Sequence, residues 1–426
     1  MGHNTREFQL HESVTGLPRK IQIVSHHNSE IVIAIDKARW LVLTTNELSI
    51  FKLLYRGLSL NAVLEHFKEI DLIAVLKKIE IMNFYESATN TISNYLETAT
   101  IILTDGCNLR CKHCLMSAGP SPKQEKEMTE EKWFSLLQKL KKTGIEKIVF
   151  YGGEPLLKKK ALDIIVQAYS LNFEIKLMTN GTLIDITNQA HYSMFCHEIQ
   201  ISLDGLEKSH DHIRGKGTFK KTWRAIELLS PIGDRLTISV TTIPENLDQF
   251  TTELPVLLKQ IHDLNPDIKI LISPELLTGR DVEAQGKGSH FNKVIEQAAA
   301  EATENKCNNK PILMFPGEVR NQCGWGEGWW INSLGKLLPC HLAEHPIDID
   351  RESMTQAHDE SSIEKVATCN TCSLKSFCGG RCRIENKKLT GNMLQGDCSQ
   401  EDKENIILNL IDSFESIMSQ QQEEKK

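Results

Sequence analysis

Residues 99–114, ATIILTDGCNLRCKHC, place an apolar run directly before three closely spaced cysteines. The run is rich in β-branched residues, which predicts a buried strand over residues 99–105. Cys107, Cys111 and Cys114 follow with the spacing C-x3-C-x2-C. Three soft thiolates in one short loop suit a metal centre that takes three protein ligands and keeps one position open. From this spacing alone, a structural zinc site with His113 as fourth ligand is the alternative.

The same strand-then-helix pattern recurs after the cysteine loop. Near-continuous apolar strands joined by amphipathic helices predict a parallel sheet buried on both faces. Six such units predict an α/β fold, a partial (β/α)6 TIM-type barrel with its functional residues at the carboxyl ends of the strands. The further strands are predicted over 147–153, 174–181, 198–205, 235–242 and 268–275, and the helices over 130–141, 161–170, 185–195, 222–229 and 250–264.

A different pattern precedes the barrel. Residues 18–46 contain three short β-rich runs, and a helix capped by Thr45 and ended by Gly57 follows them. Further amphipathic helices are predicted over 60–67 and 72–82, so this segment has the pattern of a small winged-helix-like module. A Ser/Thr/Asn-rich linker follows at 87–94, and later helices are predicted over 289–306 and 402–418.

Composition narrows the class of protein. The chain has 426 residues and a net charge of −7, so it carries no broad basic field for nucleic acid or anionic lipid. No apolar run approaches the length of a membrane span, and the amino terminus lacks the apolar core of a secretory signal. We therefore expect a cytoplasmic protein without nucleic-acid or membrane partners. Its 12 cysteines, in a reducing compartment, indicate metal binding more than disulfides.

The cysteine loop resembles the signature of the radical S-adenosylmethionine (SAM) enzymes. This resemblance implies that Cys107, Cys111 and Cys114 hold a 4Fe–4S cluster whose fourth iron binds the amino and carboxylate groups of SAM. Four later segments resemble the SAM-binding elements of that family. Arg214 would pair with the SAM carboxylate, the interpretation as a surface charge being the alternative. The residues that would bind SAM are Gly152, Gly153, Glu154, Asn180, Ser202, Asp204 and Arg214; the sequence assigns no catalytic residue.

The cysteines of the carboxy-terminal region resemble the seven-cysteine pattern of the SPASM domain. The resemblance implies two auxiliary 4Fe–4S clusters, which gives three clusters in all, and a pair of zinc ribbons is the alternative. One cluster would be held by Cys369, Cys372, Cys378 and Cys398, and the other by Cys323, Cys340 and Cys382 with a fourth ligand left open. The aromatic side chains of Trp325, Trp329 and Trp330 either line a substrate channel or pack a cluster away from water.

The amino-terminal module resembles in pattern the peptide-recognition fold of the small pyrroloquinoline-quinone chaperone. The resemblance implies that a leader peptide adds a strand to the edge of its sheet. A DNA-binding winged helix is the alternative, which the balance of acidic and basic residues over 18–86 disfavours. The predicted domains are a recognition domain (1–90), a radical SAM partial barrel (95–305) and a SPASM iron–sulfur domain (306–426).

Together these resemblances imply a radical SAM/SPASM maturase, an oxidoreductase that modifies a ribosomally synthesised precursor peptide carrying a leader. The expected chemistry is hydrogen abstraction by a 5′-deoxyadenosyl radical, followed by an intramolecular side-chain crosslink. A carbon–carbon (cyclophane) crosslink is favoured over a thioether or ether, and the expected electron donor is a flavodoxin- or ferredoxin-type reductant. The alternatives are a maturase of protein substrates of the anaerobic sulfatase type and an iron–sulfur winged-helix regulator.

Overall fold

The computed structural model describes residues 13–88, 97–120, 127–242, 247–274, 314, 316–317, 325–326, 328–396 and 398–423. The chain divides into two compact units. Unit 1 comprises Met1–Ser93, Lys310–Cys323 and Glu360–Lys426, and unit 2 comprises Asn94–Asn309 and Gly324–Asp359. Across these described ranges, no helix combines the length and the apolar character needed to span a membrane. Cys307, Cys323, the predicted helix over 289–306 and most of the predicted linker over 87–94 lie outside the described residues.

The amino-terminal part of unit 1 has three antiparallel strands followed by three helices, as the sequence predicts. Its elements are β1 (Ile21–His26), β2 (Ser29–Ala34), β3 (Arg39–Leu43), α1 (Thr45–Tyr55), α2 (Leu60–Leu64) and α3 (Glu69–Ile81). The predicted cap of α1 is wrong by one residue. Thr44, not Thr45, is the N-cap, because its side chain accepts from the Glu47 N–H while the Glu47 carboxylate accepts from the Thr44 N–H.

Unit 2 contains an eight-stranded sheet in the order β11-β10-β4-β5-β6-β7-β8-β9. All neighbours from β10 to β9 are parallel, and only β11 runs antiparallel to β10. The predicted α/β fold with a parallel sheet is therefore confirmed. The strands are β4 (Thr98–Ile102), β5 (Lys147–Tyr151), β6 (Glu174–Thr179), β7 (Glu198–Ser202), β8 (Leu236–Thr242), β9 (Lys269–Pro274), β10 (Trp329–Ile331) and β11 (Leu337–Leu338).

Seven helices accompany this sheet among the described residues of unit 2. They are α4 (Glu130–Lys142), α5 (Ala161–Ser170), α6 (Gln189–Phe195), α7 (Glu207–Arg214), α8 (Thr218–Leu229), α9 (Leu247–Leu264) and α10 (Arg351–Glu360). The sequence did not predict α7, because a run with four charged residues and two histidines carries little apolar periodicity. It also missed β10, which is too short for a period-2 pattern to be visible.

The two faces of the barrel strands differ in polarity. Ile199 and Ile201 of β7 are fully buried in the core between the sheet and its helices, as is Trp133 of α4. Gln200 and Ser202 alternate with these isoleucines and so lie on the opposite face. The strands are thus apolar towards the helices and more polar on the inner face. The prediction that the strands are apolar on both faces is therefore only partly correct.

Three described helices complete unit 1, namely α11 (Lys375–Cys378), α12 (Arg383–Thr390) and α13 (Gln400–Glu423). Of these, α11 and α13 share one apolar core with the amino-terminal strands and helices. The indole Nε1 of Trp40 donates to the Leu410 carbonyl at 2.7 Å, and the Trp40 ring packs edge-on against Phe377. Helices near the carboxyl terminus therefore complete the apolar core of the amino-terminal module. The local composition of residues 87–94 predicts a linker but does not indicate this contact.

Candidate active site

The three cysteines of the C-x3-C-x2-C motif lie in the loop that leaves β4. The N–H of Cys107 donates to the Gly119 carbonyl at 2.7 Å, which closes the loop on itself. The Leu109 N–H approaches the Cys107 sulfur at 3.4 Å, and the Ala118 N–H approaches the Cys114 sulfur at 3.2 Å. Main-chain donors aimed at sulfur favour thiolate ligands, so the loop is built to stabilise negative charge on these cysteines.

The triad suits a cationic cluster. Cys107 and Cys111 are buried, and burial raises the pKa of the Cys107 thiol to about 11 and also raises the pKa of Cys111. A bound metal supplies the positive charge that favours the thiolate form of such thiols.

Gly152 and Gly153 join the end of β5 to this loop. The N–H groups of Gly153 and Glu154 donate to the carbonyls of Thr104 and Gly106, each at 2.9 Å. A Cβ at Gly153 would lie 2.1 Å from the Gly106 oxygen, and Gly152 has φ +144°. The sequence predicts that these glycines admit the SAM ligand; the close approach visible in the structure is to the cysteine loop itself.

Glu154 connects the ends of β5 and β6. Its carboxylate is fully buried and accepts from the Asn180 N–H at 2.8 Å, the Thr179 hydroxyl at 2.7 Å and the Leu156 N–H at 3.1 Å. Burial raises its pKa, and these donors oppose that rise. The Asn180 amide in turn donates to the Asn108 side chain at 2.9 Å. Two predicted site residues thus hold the cysteine loop through a continuous hydrogen-bond network.

Asp204 is the centre of a second network, two residues beyond Ser202 at the end of β7. It is fully buried and accepts from Nε and Nη2 of Arg214 at 2.5 and 3.1 Å. Nε2 of His113 lies 2.9 Å from the same carboxylate, and the Thr241 N–H lies at 3.0 Å. Burial alone would oppose ionisation, but Arg214 and His113 hold the pKa of Asp204 well below its usual range.

This network changes the interpretation of two residues. Arg214 is not a surface charge, because its side chain is only 9 % exposed and its guanidinium donates two hydrogen bonds to the Asp204 carboxylate. His113, which the sequence offered as a fourth zinc ligand, instead contacts Asp204. Sequence analysis missed this contact, because β7 and the cysteine loop are about ninety residues apart along the chain.

We expect Arg214→Lys to lower the unfolding free energy by about 1.5–3 kcal/mol, since an ammonium cannot reproduce a fork to a buried carboxylate. Urea denaturation of the purified variant measures this loss. The control is Arg224→Lys, which changes an exposed arginine that pairs with Glu227 on α8. Equal unfolding midpoints for the Arg214 and Arg224 variants would contradict a structural role for the Arg214–Asp204 pair.

The second cysteine group lies in unit 1. Its four members line one cavity of about 250 Å³, as the predicted ligand set of one auxiliary cluster requires. Burial raises the pKa of Cys369, Cys378 and Cys398, and the neighbouring thiols of the group raise it further. This donor set fits a cationic cluster by the same argument as the triad. The four cysteines are Cys369, Cys372, Cys378 and Cys398.

The remaining predicted ligands are not brought together within one unit. Cys340 follows β11 in unit 2, Cys382 is the N-cap of α12 in unit 1, and Cys323 lies outside the described residues. Their assignment to a further cluster stays a prediction. Cys196 is buried in the core of unit 2, as expected for a cysteine without a metal role.

The tryptophans of β10 face opposite sides of the sheet. Trp329 is fully buried in the core beneath the helices, whereas Trp330 is half-buried and contacts Tyr151 and His341. The ring centroids of Trp330 and His341 are 4.7 Å apart. Trp329 therefore packs in the apolar core, and neither a substrate channel nor a cluster is shown beside it. Trp330 forms an aromatic group with His341 and Tyr151, the residue before Gly152.

Comparison with known proteins agrees with this geometry. The Radical SAM superfamily profile matches residues 101–254. The sporulation killing factor maturation protein SkfB of Bacillus subtilis is 27% identical over 61% of this chain and 64% of its own. PqqA peptide cyclase of Bradyrhizobium diazoefficiens is 22% identical, covering 69% of this chain and 83% of its own. Streptococcus suis SuiB, in its crystal structure bound to precursor peptide SuiA, matches with a TM-score of 0.56 at 16% identity, over 89% and 98% of the two chains.

The class follows from the parallel sheet, the cysteine loop at its edge and the superfamily match: the chain contains a radical SAM domain and is a radical SAM enzyme. Such a domain implies SAM and a 4Fe–4S cluster. More particularly, the proteins it is similar to in sequence include SkfB, named as a maturation protein, and PqqA peptide cyclase, and its fold is similar to that of SuiB.

Proposed function

We propose that this chain is a radical SAM/SPASM maturase that modifies a ribosomally synthesised precursor peptide. The observation that carries the proposal is the presence of two separate thiol sites in one chain. A cysteine triad lies at the carboxyl edge of the barrel sheet, and a four-thiol cavity lies in the other unit. A radical SAM enzyme needs the first site for SAM, and the second provides a redox centre of its own.

The residues around the triad have distinct proposed tasks. When bound, the cluster and SAM would supply a 5′-deoxyadenosyl radical that removes hydrogen from a substrate carbon. Main-chain carbonyls of Gly152 and Gly153 would accept from the SAM amino group, and Ser202 would bind the ribose. Arg214 uses Nε and Nη2 on Asp204, which leaves Nη1 for the SAM carboxylate. Glu154 and Asn180 would keep the loop in place through the network described above.

The number of clusters gives a direct test. We expect anaerobically reconstituted protein to hold about twelve iron and twelve sulfide, which corresponds to three 4Fe–4S clusters. Cys372→Ala should remove about four iron atoms, spare some uncoupled SAM cleavage and stop peptide modification. Iron analysis and chromatography of 5′-deoxyadenosine measure these effects. Full product formation by the Cys372 variant would show that the four-thiol cavity is dispensable.

The amino-terminal sheet offers one edge for a leader peptide. Residues of β3 are almost all buried, and β3 lies against α13 through Trp40 and Leu410. The side chains of β1 are all half-buried or exposed, so β1 is the more open of the two edge strands. We propose that the leader pairs with β1 by strand addition.

Ile23→Pro should weaken precursor binding at least tenfold, because proline removes a main-chain donor that an added strand needs. The two-residue turn between β1 and β2 makes Val24 and Ile31 a hydrogen-bonded pair. The neighbouring pair, Ile23 and Val32, is then not hydrogen-bonded, so the Ile23 N–H points away from β2 towards the open edge. Ile23→Thr is the matched control, since it changes the side chain and keeps the N–H. Fluorescence anisotropy of a labelled leader measures the affinity of each variant. Wild-type affinity in both variants would contradict strand addition at β1.

The type of crosslink and the electron donor are the most detailed parts of the proposal. A carbon–carbon crosslink between side chains is favoured over a thioether or ether, with flavodoxin or ferredoxin as reductant. Coexpression with a short aromatic-rich peptide encoded nearby, followed by tandem mass spectrometry, tests this. A peptide lighter by two hydrogens and resistant to fragmentation between two residues is expected. Modification of a folded sulfatase instead would favour the protein-maturase alternative, and retardation of DNA by the chain would favour the regulator.

A further inference from the structure

The turn that follows Cys378 has an unusual backbone. Gly379, Gly380 and Arg381 are three successive residues with positive φ, at 63°, 79° and 62°. The left-handed conformation is natural for glycine but unfavourable for Arg381, whose Cβ approaches its own carbonyl oxygen. Such a run persists only where the surrounding structure holds it, and it leads directly to Cys382.

The main-chain donors of this turn face a proposed cluster ligand. The Gly380 N–H approaches the Cys378 sulfur at 3.4 Å, and the Arg381 N–H is a second donor to the same sulfur. Successive N–H groups that converge in this way form a concave binding site for an anion. The turn is therefore shaped to stabilise negative charge on Cys378.

The main-chain acceptors of the same turn face Arg383. Its guanidinium donates to the carbonyls of Gly379, Gly380 and Arg381 at 3.0, 2.9 and 2.8 Å. Nε donates to the Ser361 carbonyl at 2.8 Å, and the side chain is fully buried. A planar guanidinium can hold these four acceptors at once, whereas an ammonium has three donors and no plane.

We propose that Arg383 is a positioning residue for the auxiliary cluster: by gripping the carbonyls of the Gly379–Arg381 turn, it holds the N–H groups of that turn on Cys378 and raises the reduction potential of the cluster. This inference rests on the proposed function for the existence of a cluster on Cys369, Cys372, Cys378 and Cys398. Donors to a ligating sulfur favour the reduced cluster, because reduction adds negative charge to the sulfurs.

The test is a potentiometric titration followed by electron paramagnetic resonance. The parent carries alanine at Cys107, Cys111, Cys114 and Cys340, so that the cluster in the four-thiol cavity is observed alone. In Arg383→Met, the ratio of reduced to oxidised cluster at a fixed potential should fall about tenfold, which is about 59 mV for one electron. An unchanged potential in this variant would overturn the proposal.

Arg383→Lys separates positioning from charge. It keeps the positive charge but not the four-acceptor geometry, so its potential should fall close to that of Arg383→Met. Recovery of the full wild-type potential by lysine would show that charge alone acts, and it would overturn the positioning role.

A further variant covers loss of the cluster. If Arg383→Met loses iron, adding Arg381→Gly should restore it, because glycine adopts the left-handed conformation without help from Arg383. Failure of this double variant to regain iron would count against the proposal. A parent without iron would overturn the assignment of the cluster itself, and it would be recognised before any Arg383 variant is made.

Discussion

Replacing Cys107, Cys111 and Cys114 together with alanine is expected to abolish reductive cleavage of SAM. The three thiols share one loop beside Gly152–Glu154, whereas a cluster held by all four cysteines that line the cavity of unit 1 would have no iron open to SAM. We expect neither methionine nor 5′-deoxyadenosine above background when the variant is assayed anaerobically with dithionite. Iron held by the carboxy-terminal cysteines should remain.

Cys196→Ala is the matched control for this experiment. Cys196 is more deeply buried than the triad cysteines and lies in the apolar core, so it acts as a small hydrophobic side chain. SAM cleavage should survive this substitution. Cleavage at the wild-type rate by the triad variant would defeat the assignment of the SAM cluster.

Gly153→Ala is expected to have the next largest effect. The added Cβ would meet the Gly106 oxygen at 2.1 Å and the Asp105 oxygen at 2.9 Å, and both are main-chain atoms of the cysteine loop. Either β5 or the loop must move, at a cost of about 1–3 kcal/mol. Because Cys107 is the next residue, we expect weak iron incorporation at the triad and little SAM cleavage.

Gly119→Ala provides a comparison within the same loop. Its carbonyl also accepts a bond from Cys107, but a Cβ there meets nothing within 4 Å. Absorption at 400 nm per chain and the thermal unfolding midpoint would be measured for both variants. Identical behaviour of the two alanine variants would show that the tight contact at Gly153 is not required.

Much of the site could be predicted because its signals are local. The strand before Cys107 and the glycines after Tyr151 are each visible in short windows of sequence. Parallel strands joined by helices place their carboxyl ends on one edge, so separate local signals already predict a shared site. The four-cysteine set was predicted from its resemblance to the SPASM pattern, and all four of these cysteines line one cavity.

The contacts between distant segments could not be predicted. The carboxylate of Asp204 meets His113 and Arg214, but nothing in the residues around Asp204 indicates a histidine in the cysteine loop. Likewise, Trp40 bonds to Leu410 across 370 positions of sequence. Deleting residues 1–90 would therefore uncover the apolar side of α13, and point substitutions in β1 are the cleaner test of peptide recognition.

The sequence by itself determined the alternation of strands and helices, and it predicted the cysteine triad and the four-thiol set through their resemblance to known family patterns. Each depends on spacing along the chain, because the hydrophobic period indicates strands and helices and the cysteine spacing indicates ligand sets. Only the tertiary structure decided the buried partner of Arg214, the strand that contains Trp330 and the grip of Arg383 on the turn after Cys378. These depend on which main-chain carbonyls and buried charges come into contact in the folded chain. Such contacts matter for stability because a buried polar group that loses its partner has no water to replace it.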